Sequence, residues 1–243
     1  MSLLEVQGLT KRFGGVTAVH GVEFSIERGE ILGMIGPNGA GKTTLFHLIT
    51  GFHLGDEGQI RFKGEEISTL RPDEICKKGI TRTFQIVKPF SHLTVLQNVT
   101  IGALNRIPEV GSARQVALET LRFTGLDKKK DQMGIQLTTP ERKRLELARA
   151  LATRPELLLL DEVMAGLRPK EIEEMIGLIR DIRGKGITVF VIEHIMKVIM
   201  SLSDRIVVLN YGEKIATGTP AEISKDQKVI KAYLGKEYVF AER

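Results

Sequence analysis

Tryptophan is absent from the 243 residues, and the aromatic types together make up only 5% of them. A broad aromatic recognition face is thereby excluded. Cys76 is the single cysteine, so no internal disulfide can form and the chain suits a reducing compartment. No apolar run approaches the ~18 residues that a bilayer span needs, and the opening Met1-Ser2-Leu3-Leu4-Glu5 has no signal-peptide pattern. The chain reads as cytosolic on its own, and any work at a membrane needs a partner that supplies the span. Excess charge is scarce as well: 35 Lys and Arg against 30 Asp and Glu leave +5. That balance suits an anionic nucleotide or a membrane surface and is too weak to indicate nucleic acid. The remaining composition, 27% charged and 42% hydrophobic, is that of a soluble globular protein. Its length allows one large domain or a core with a subdomain.

The most informative stretch is Gly36-Pro37-Asn38-Gly39-Ala40-Gly41-Lys42-Thr43-Thr44. It follows the apolar run Ile31-Leu32-Gly33-Met34-Ile35 and opens into Leu45-Phe46-His47-Leu48-Ile49, the order strand, glycine-rich turn, helix. The pattern G-x-x-x-x-G-K-[ST] in that setting is a phosphate-binding loop. Glycines let successive backbone N–H groups converge on a polyphosphate, and the helix N-terminus adds partial positive charge. Lys42 can reach the terminal phosphates of ATP, and the Thr43 hydroxyl is suited to Mg²⁺.

Around this loop the pattern changes twice. Residues 3–9 and 22–26 alternate apolar and polar and predict strands with one covered face, with turns at Gly14-Gly15 and Arg28-Gly29-Glu30. A further strand follows at 59–62. Residues 95–104, 113–123 and 141–152 have helical spacing, with Lys128-Lys129-Lys130 read as a solvated loop between two of them. Beyond them, 157–160, 187–192 and 205–210 lack alternation and alternate with helical stretches at 170–182 and 196–202. That suits parallel strands covered on both faces. Residues 214–217 finish the sheet, and 220–223 and 229–234 predict short closing helices. The expected fold is α/β: a P-loop NTPase (RecA-like) core with an N-terminal antiparallel β part and an inserted helical subdomain. The core is expected over 1–85 and 154–243 and the helical subdomain over 86–153.

Leu157-Leu158-Leu159-Leu160-Asp161-Glu162 is a buried strand ending in two acids, where ligands of doubly wound sheets bind. Asp161 is a candidate Mg²⁺ ligand, and Glu162 a candidate to orient or deprotonate the attacking water. Alone, such a pair most often opens a helix; the upstream phosphate loop makes the catalytic reading the stronger one. Ile192-Glu193-His194 repeats the arrangement, and the His194 imidazole is a candidate to hydrogen-bond the γ-phosphate. His20, His47, His53 and His92 read as structural or surface. Gln85, just ahead of the helical block, is a candidate to touch the metal or the attacking water.

Phosphate loop, Gln85, the 157–162 stretch and His194, in this order and spacing, resemble the ATP-binding subunit of an ABC transporter over essentially the whole chain. Within that family the sequence is most similar to the ATPases of branched-chain (hydrophobic) amino acid importers. The stretches concerned are Lys11-Arg12-Phe13-Gly14-Gly15-Val16-Thr17-Ala18-Val19, Thr81-Arg82-Thr83-Phe84-Gln85, Glu193-His194 and Val229-Ile230-Lys231-Ala232-Tyr233-Leu234-Gly235. The resemblance implies two ATPase subunits, alike or different, sandwiching two ATP molecules. They would dock on two permease subunits at the inner face of the cell membrane, served by a periplasmic binding protein. It also implies that Phe13 stacks on adenine; the other reading of Phe13 is a core residue at a strand end.

Two departures stand out. The family signature is usually Leu-Ser-Gly-Gly-Gln, whose hydroxyl and glycine N–H groups grip the γ-phosphate on the opposite subunit; here it is Leu137-Thr138-Thr139-Pro140-Glu141. Thr138 keeps a hydroxyl, Pro140 has no N–H to give, and Glu141 fits a capping box that would occupy that hydroxyl. After the catalytic acid, Arg168 stands where the family usually has Asp or Asn. Groups serving this subunit's own ATP are standard, and groups offered to the partner deviate. The resemblance then leaves two readings: a heterodimer with unequal ATP sites, or a tolerated variant. Other classes also remain open. They are a lipopolysaccharide exporter ATPase of similar ending, a soluble ABC ATPase (though neither a second ATPase unit nor a long coiled-coil insertion is present), and a regulatory GTPase (though no Asn-Lys-x-Asp motif is present). A binding module with dead chemistry would be expected to lose Lys42, Glu162 or His194, and all three remain.

Overall fold

The computed structural model describes residues 2–84 and 88–234; Gln85 lies outside them. The described residues form two compact units, one from within 1–72 and 188–243, the other 73–187.

The first unit begins with two strands, β1 (Ser2–Phe13) and β2 (Val16–Glu27), paired antiparallel around the Gly14-Gly15 turn. Both outrun their sequence-predicted bounds. Gly8 and Gly21 take φ of 60° and 57°, and the ladder shifts register beside them instead of stopping. Leu4, Val6 and Leu9 lie opposite Ile26, Phe24 and Val22, giving one buried face. Strand β3 (Ile31–Ile35) is buried at every position and feeds the glycine-rich turn into helix α1 (Lys42–Ile49). Strand β4 (Glu57–Phe62) pairs with the other edge of β1, and β5 (Glu65–Glu66) with β4.

In the second unit, α2 (Pro72–Lys78) leads into β6 (Ile80–Arg82). Three helices follow, α3 (Val95–Leu104), α4 (Val110–Phe123) and α5 (Thr139–Ala152). Their core includes Val99, Ala103, Ala117, Leu121, Leu145 and Ala148, alanines set among larger leucines and valines. The start of α3 is fixed by a reciprocal capping box between Thr94 and Gln97. The run 128–130 is not wholly a solvated loop. Asp127–Lys129 forms a 3-10 turn, and Lys129 pairs with Glu141 at 2.6 Å. Strand β7 (Leu157–Asp161) pairs parallel with β6, and α6 (Pro169–Gly184) follows.

The chain then returns to the first unit with β8 (Thr188–Ile192), α7 (Met196–Leu202), β9 (Arg205–Asn210) and β10 (Glu213–Gly218). Helices α8 (Pro220–Ile223) and α9 (Gln227–Leu234) close the described chain. Strand β3 is flanked by β8 and β9, both parallel to it, and β10 runs antiparallel on the outer edge of β9. Beneath α1, Phe46 packs on Phe190 at 4.9 Å between centroids, and Phe190 on Phe24 at 5.5 Å. This aromatic row seats the helix that follows the glycine-rich turn.

Candidate nucleotide site

Strand β3 ends at Ile35, and the turn from Gly36 to Gly41 carries the chain into α1. Three glycines shape it: φ is 158° at Gly36, 79° at Gly39 and 100° at Gly41. Gly41 is required twice over, because a Cβ there would lie 2.3 Å from the Ala18 carbonyl oxygen. The turn is braced from outside. Gly212 donates its N–H to the Ala40 carbonyl at 3.1 Å, and His20 donates to the Gly212 carbonyl at 2.8 Å.

Helix α1 starts without a capping side chain and without an acid in its first turn. In contrast, Glu109 caps α4 through the N–H of Gly111 and Ser112. The N–H groups that a cap would occupy at α1 therefore remain for an anion. Lys42, the first residue of the helix, is 6% exposed and donates from Nζ to the carbonyls of Gly36 at 2.6 Å and Pro37 at 3.0 Å. An ammonium in a loop of converging N–H groups is the chemistry that receives a polyphosphate. Asn38, Gly39 and Thr43 are exposed, Pro37, Gly41 and Thr44 half-buried, and Gly36 and Ala40 buried. His194 follows the end of β8, which runs parallel to β3 with Ile192 opposite Met34. The sequence-predicted loop and His194 thus leave neighbouring strands at the same end; His194 is exposed and Glu193 buried.

Phe13, at the end of β1, is 43% exposed, which removes the reading of it as a core residue. Its ring meets His53 edge-on at 5.2 Å, His53 meets His47 at 5.0 Å, and Lys11 Nζ lies 5.5 Å from the Phe13 centroid. His47 and His53, read from the sequence only as structural or surface, belong to this aromatic group.

In the second unit, Asp161 ends β7 and is 1% exposed. Arg82 Nη2 donates to Asp161 Oδ2 at 2.9 Å, and the Asp161 N–H donates to Thr83 Oγ1 at 3.2 Å. Burial pulls the Arg82 guanidinium below the usual arginine range, opposed by the Asp161 charge. The next residues hold on too. The Arg82 guanidinium sits 4.8 Å over the Phe84 ring, and the Phe84 N–H donates to Glu146 Oε1 at 2.6 Å. Burial raises the Glu146 carboxyl above the usual range, against the Phe84 N–H. The segment just before Gln85 is thereby tied to both β7 and α5. Sequence reasoning assigned no role to Arg82 or Glu146.

Glu162 takes φ of 50°, a left-handed conformation that a side chain adopts at a cost of about 1–2 kcal/mol. Lys143 Nζ donates to its carbonyl at 3.2 Å. Strain of this kind is concentrated at working sites. At the start of α5, Glu141 Oε2 accepts the Thr138 N–H at 2.9 Å. Burial pushes the Glu141 carboxyl up, but Lys129 and the N–H and hydroxyl of Thr138 outweigh it and hold it below the usual range. The backbone N–H of Thr138 is thereby engaged by Glu141. Arg168 caps α6 through Glu171, donating its N–H at 2.8 Å and Nε at 2.9 Å, so its charge is answered within its own turn.

Within the first unit the turn into α1 fits a polyphosphate: it is a cradle that a Cβ at Gly41 would fill, and Thr43 beside it carries a hydroxyl, a hard oxygen donor.

The ABC transporter family model matches residues 19–165, and the branched-chain amino acid ATP-binding cassette transporter model matches residues 213–239. The chain is 42% identical to the high-affinity branched-chain amino acid transport ATP-binding protein BraF of Pseudomonas aeruginosa, covering 96% of this chain and 98% of that one. It is 39% identical to LivG of Escherichia coli K12, which carries the same description, again over 96% and 98%. A solved nucleotide-free ATP-binding cassette from an ABC transporter matches with a TM-score of 0.89 at 31% identity, covering 97% of this chain and 100% of that one. A dimeric ATP-binding cassette in a post-hydrolysis state, bound to ADP and Pi, matches with a TM-score of 0.81 at 27% identity, over 89% and 98%.

Proposed function

The chain belongs to the ABC transporter family of ATP-binding cassettes, and from that premise we propose that it is the ATP-hydrolysing subunit of an importer for branched-chain or other hydrophobic amino acids. The observation that carries the reading is the uncapped start of α1 behind a glycine turn, with buried Lys42 gripping the turn's carbonyls. Backbone N–H groups and Lys42 bind the triphosphate, and Phe13 offers its exposed ring to the adenine. Mg²⁺ would be held by Thr43 and Asp161, with Gln85 assigned to the same metal from the sequence alone; when bound it offsets charge on the phosphates. Glu162 orients or deprotonates the attacking water, and His194 hydrogen-bonds the γ-phosphate. No covalent bond to the protein forms, so rate comes from positioning and electrostatics.

Functionally, we assign 1–85 and 154–243 to the nucleotide core and 86–153 to the helical subdomain. The cassette pairs with a second one and docks on two membrane subunits at the inner face of the membrane, and a periplasmic receptor delivers the solute. No described helix is long and apolar enough to cross a membrane, which fits the division of labour. The two ATP sites are unequal, because Glu141 ties up the Thr138 N–H, Pro140 brings no N–H, and Arg168 is turned to Glu171.

The test is reconstitution with the partner cassette and membrane subunits in liposomes, following leucine uptake and phosphate release together. Glu162→Gln is expected to lower both by roughly 10²–10⁴-fold, as loss of a catalytic base does. Uptake that persists without ATP, or hydrolysis indifferent to Glu162→Gln, overturns the reading.

A further inference from the structure

The ending Val229-Ile230-Lys231-Ala232-Tyr233 has no part in the mechanism above, yet it reaches the nucleotide loop. Helix α9 packs along β10, anchored by Val229, which is 0% exposed. From its last turn Tyr233 presents its hydroxyl to the N–H of Gly36, which donates to it at 2.6 Å across 197 positions of sequence. Burial pushes the phenol up to about 12, so it stays a neutral hydroxyl at physiological pH.

Gly36 is buried and lies just past the end of β3, where the strand ladder no longer supplies partners. A buried N–H there needs an acceptor. The same residue is held elsewhere too. Its carbonyl accepts Lys42 Nζ at 2.6 Å, and a Cβ on it would meet the Leu209 carbonyl oxygen at 2.3 Å. Where that carbonyl points therefore sets where the ammonium sits.

We infer that Tyr233 is a positioning residue for the phosphate loop: its hydroxyl fixes the Gly36 peptide, and through the Gly36 carbonyl it fixes the Lys42 ammonium that meets the nucleotide. Nucleotide affinity thereby depends on α9. The inference rests on the ATP-binding reading and names a residue that reading does not use.

The test is Tyr233→Phe in the full chain, with a fluorescent Mg-ATP analogue titrated for Kd and the reconstituted assembly assayed for KM and kcat. Loss of the hydroxyl is expected to raise Kd and KM roughly fivefold, the scale of one neutral hydrogen bond, with kcat within about twofold. Val229→Ala is the comparison, since it loosens the same helix and leaves the hydroxyl; a smaller rise in Kd is expected. A lower melting temperature with Kd unchanged overturns the inference and leaves the hydroxyl a structural group only. So does an equal rise in Kd for both variants. If Tyr233→Phe does not fold, hydrogen exchange on the native chain decides: the Gly36 amide is expected to exchange as slowly as the α9 amides. Exchange at the rate of an open loop overturns it. A native chain that fails to bind Mg-ATP overturns the ATP reading instead.

Discussion

Arg82 and Asp161 are 5% and 1% exposed at their side chains and lie 2.9 Å apart. Two charges taken so far from water attract strongly, but their desolvation consumes most of the gain. The consequence shows when one is removed. Arg82→Met removes the cation set 2.9 Å from the buried Asp161 carboxylate and is expected to cost up to about 3–5 kcal/mol in urea unfolding. The double variant Arg82→Met, Asp161→Leu removes that carboxylate as well and is expected to recover much of the loss; no recovery would sink the account. The turn from Gly36 into α1 was legible in the sequence because its signal is local, one turn of consecutive peptides. The Arg82 pairing was not, since 79 positions separate its members and an arginine ending a strand has many uses. Phe13 shows a third case. Its position was clear, but strand ends are buried or exposed with equal ease, and only the fold decides.

The turn into α1 allows a comparison between two glycines. Gly41 has φ of 100° and no room for a Cβ, while Gly39 has φ of 79° and nothing within 4 Å. Gly39→Ala therefore meets only the left-handed penalty, about 1–2 kcal/mol. Gly41→Ala meets that penalty and a collision with the Ala18 backbone, so its affinity for a Mg-ATP analogue is expected to fall further, by more than about tenfold. Equal losses in a nucleotide titration would contradict the crowding. Several elements were readable to the residue, α3 among them, whose apolar spacing and capping box set its start. Helix α2 was not, because Ile75 is its only buried residue and leaves no stripe to detect. The long hairpin was cut short in the reading because glycine inside a strand looks like an end, whereas Gly8 and Gly21 mark register shifts.

Across the whole molecule, the deviations collect on the groups that, in the proposed pairing, this cassette would lend to its partner. Helix α5 starts with Thr138 engaged by Glu141, and α6 with Arg168 engaged by Glu171. In an assembled pair, Glu162→Gln in this chain is expected to lower phosphate release more than the matching change in the partner. Comparable losses from the two would show equivalent sites and a tolerated variant. The family and its core were legible because the phosphate loop, Asp161-Glu162 and His194 fall in one fixed order. The loop's braces were not, since Gly212 and Tyr233 come from far along the chain. That scatter has a bearing on biosynthesis. A nascent chain displays Lys42 and its glycines early, but the last brace emerges from the ribosome some 190 residues later. Until then the Gly36 peptide has no phenol to rest on, and the young loop's grip on nucleotide is expected to be the weaker by about that one hydrogen bond.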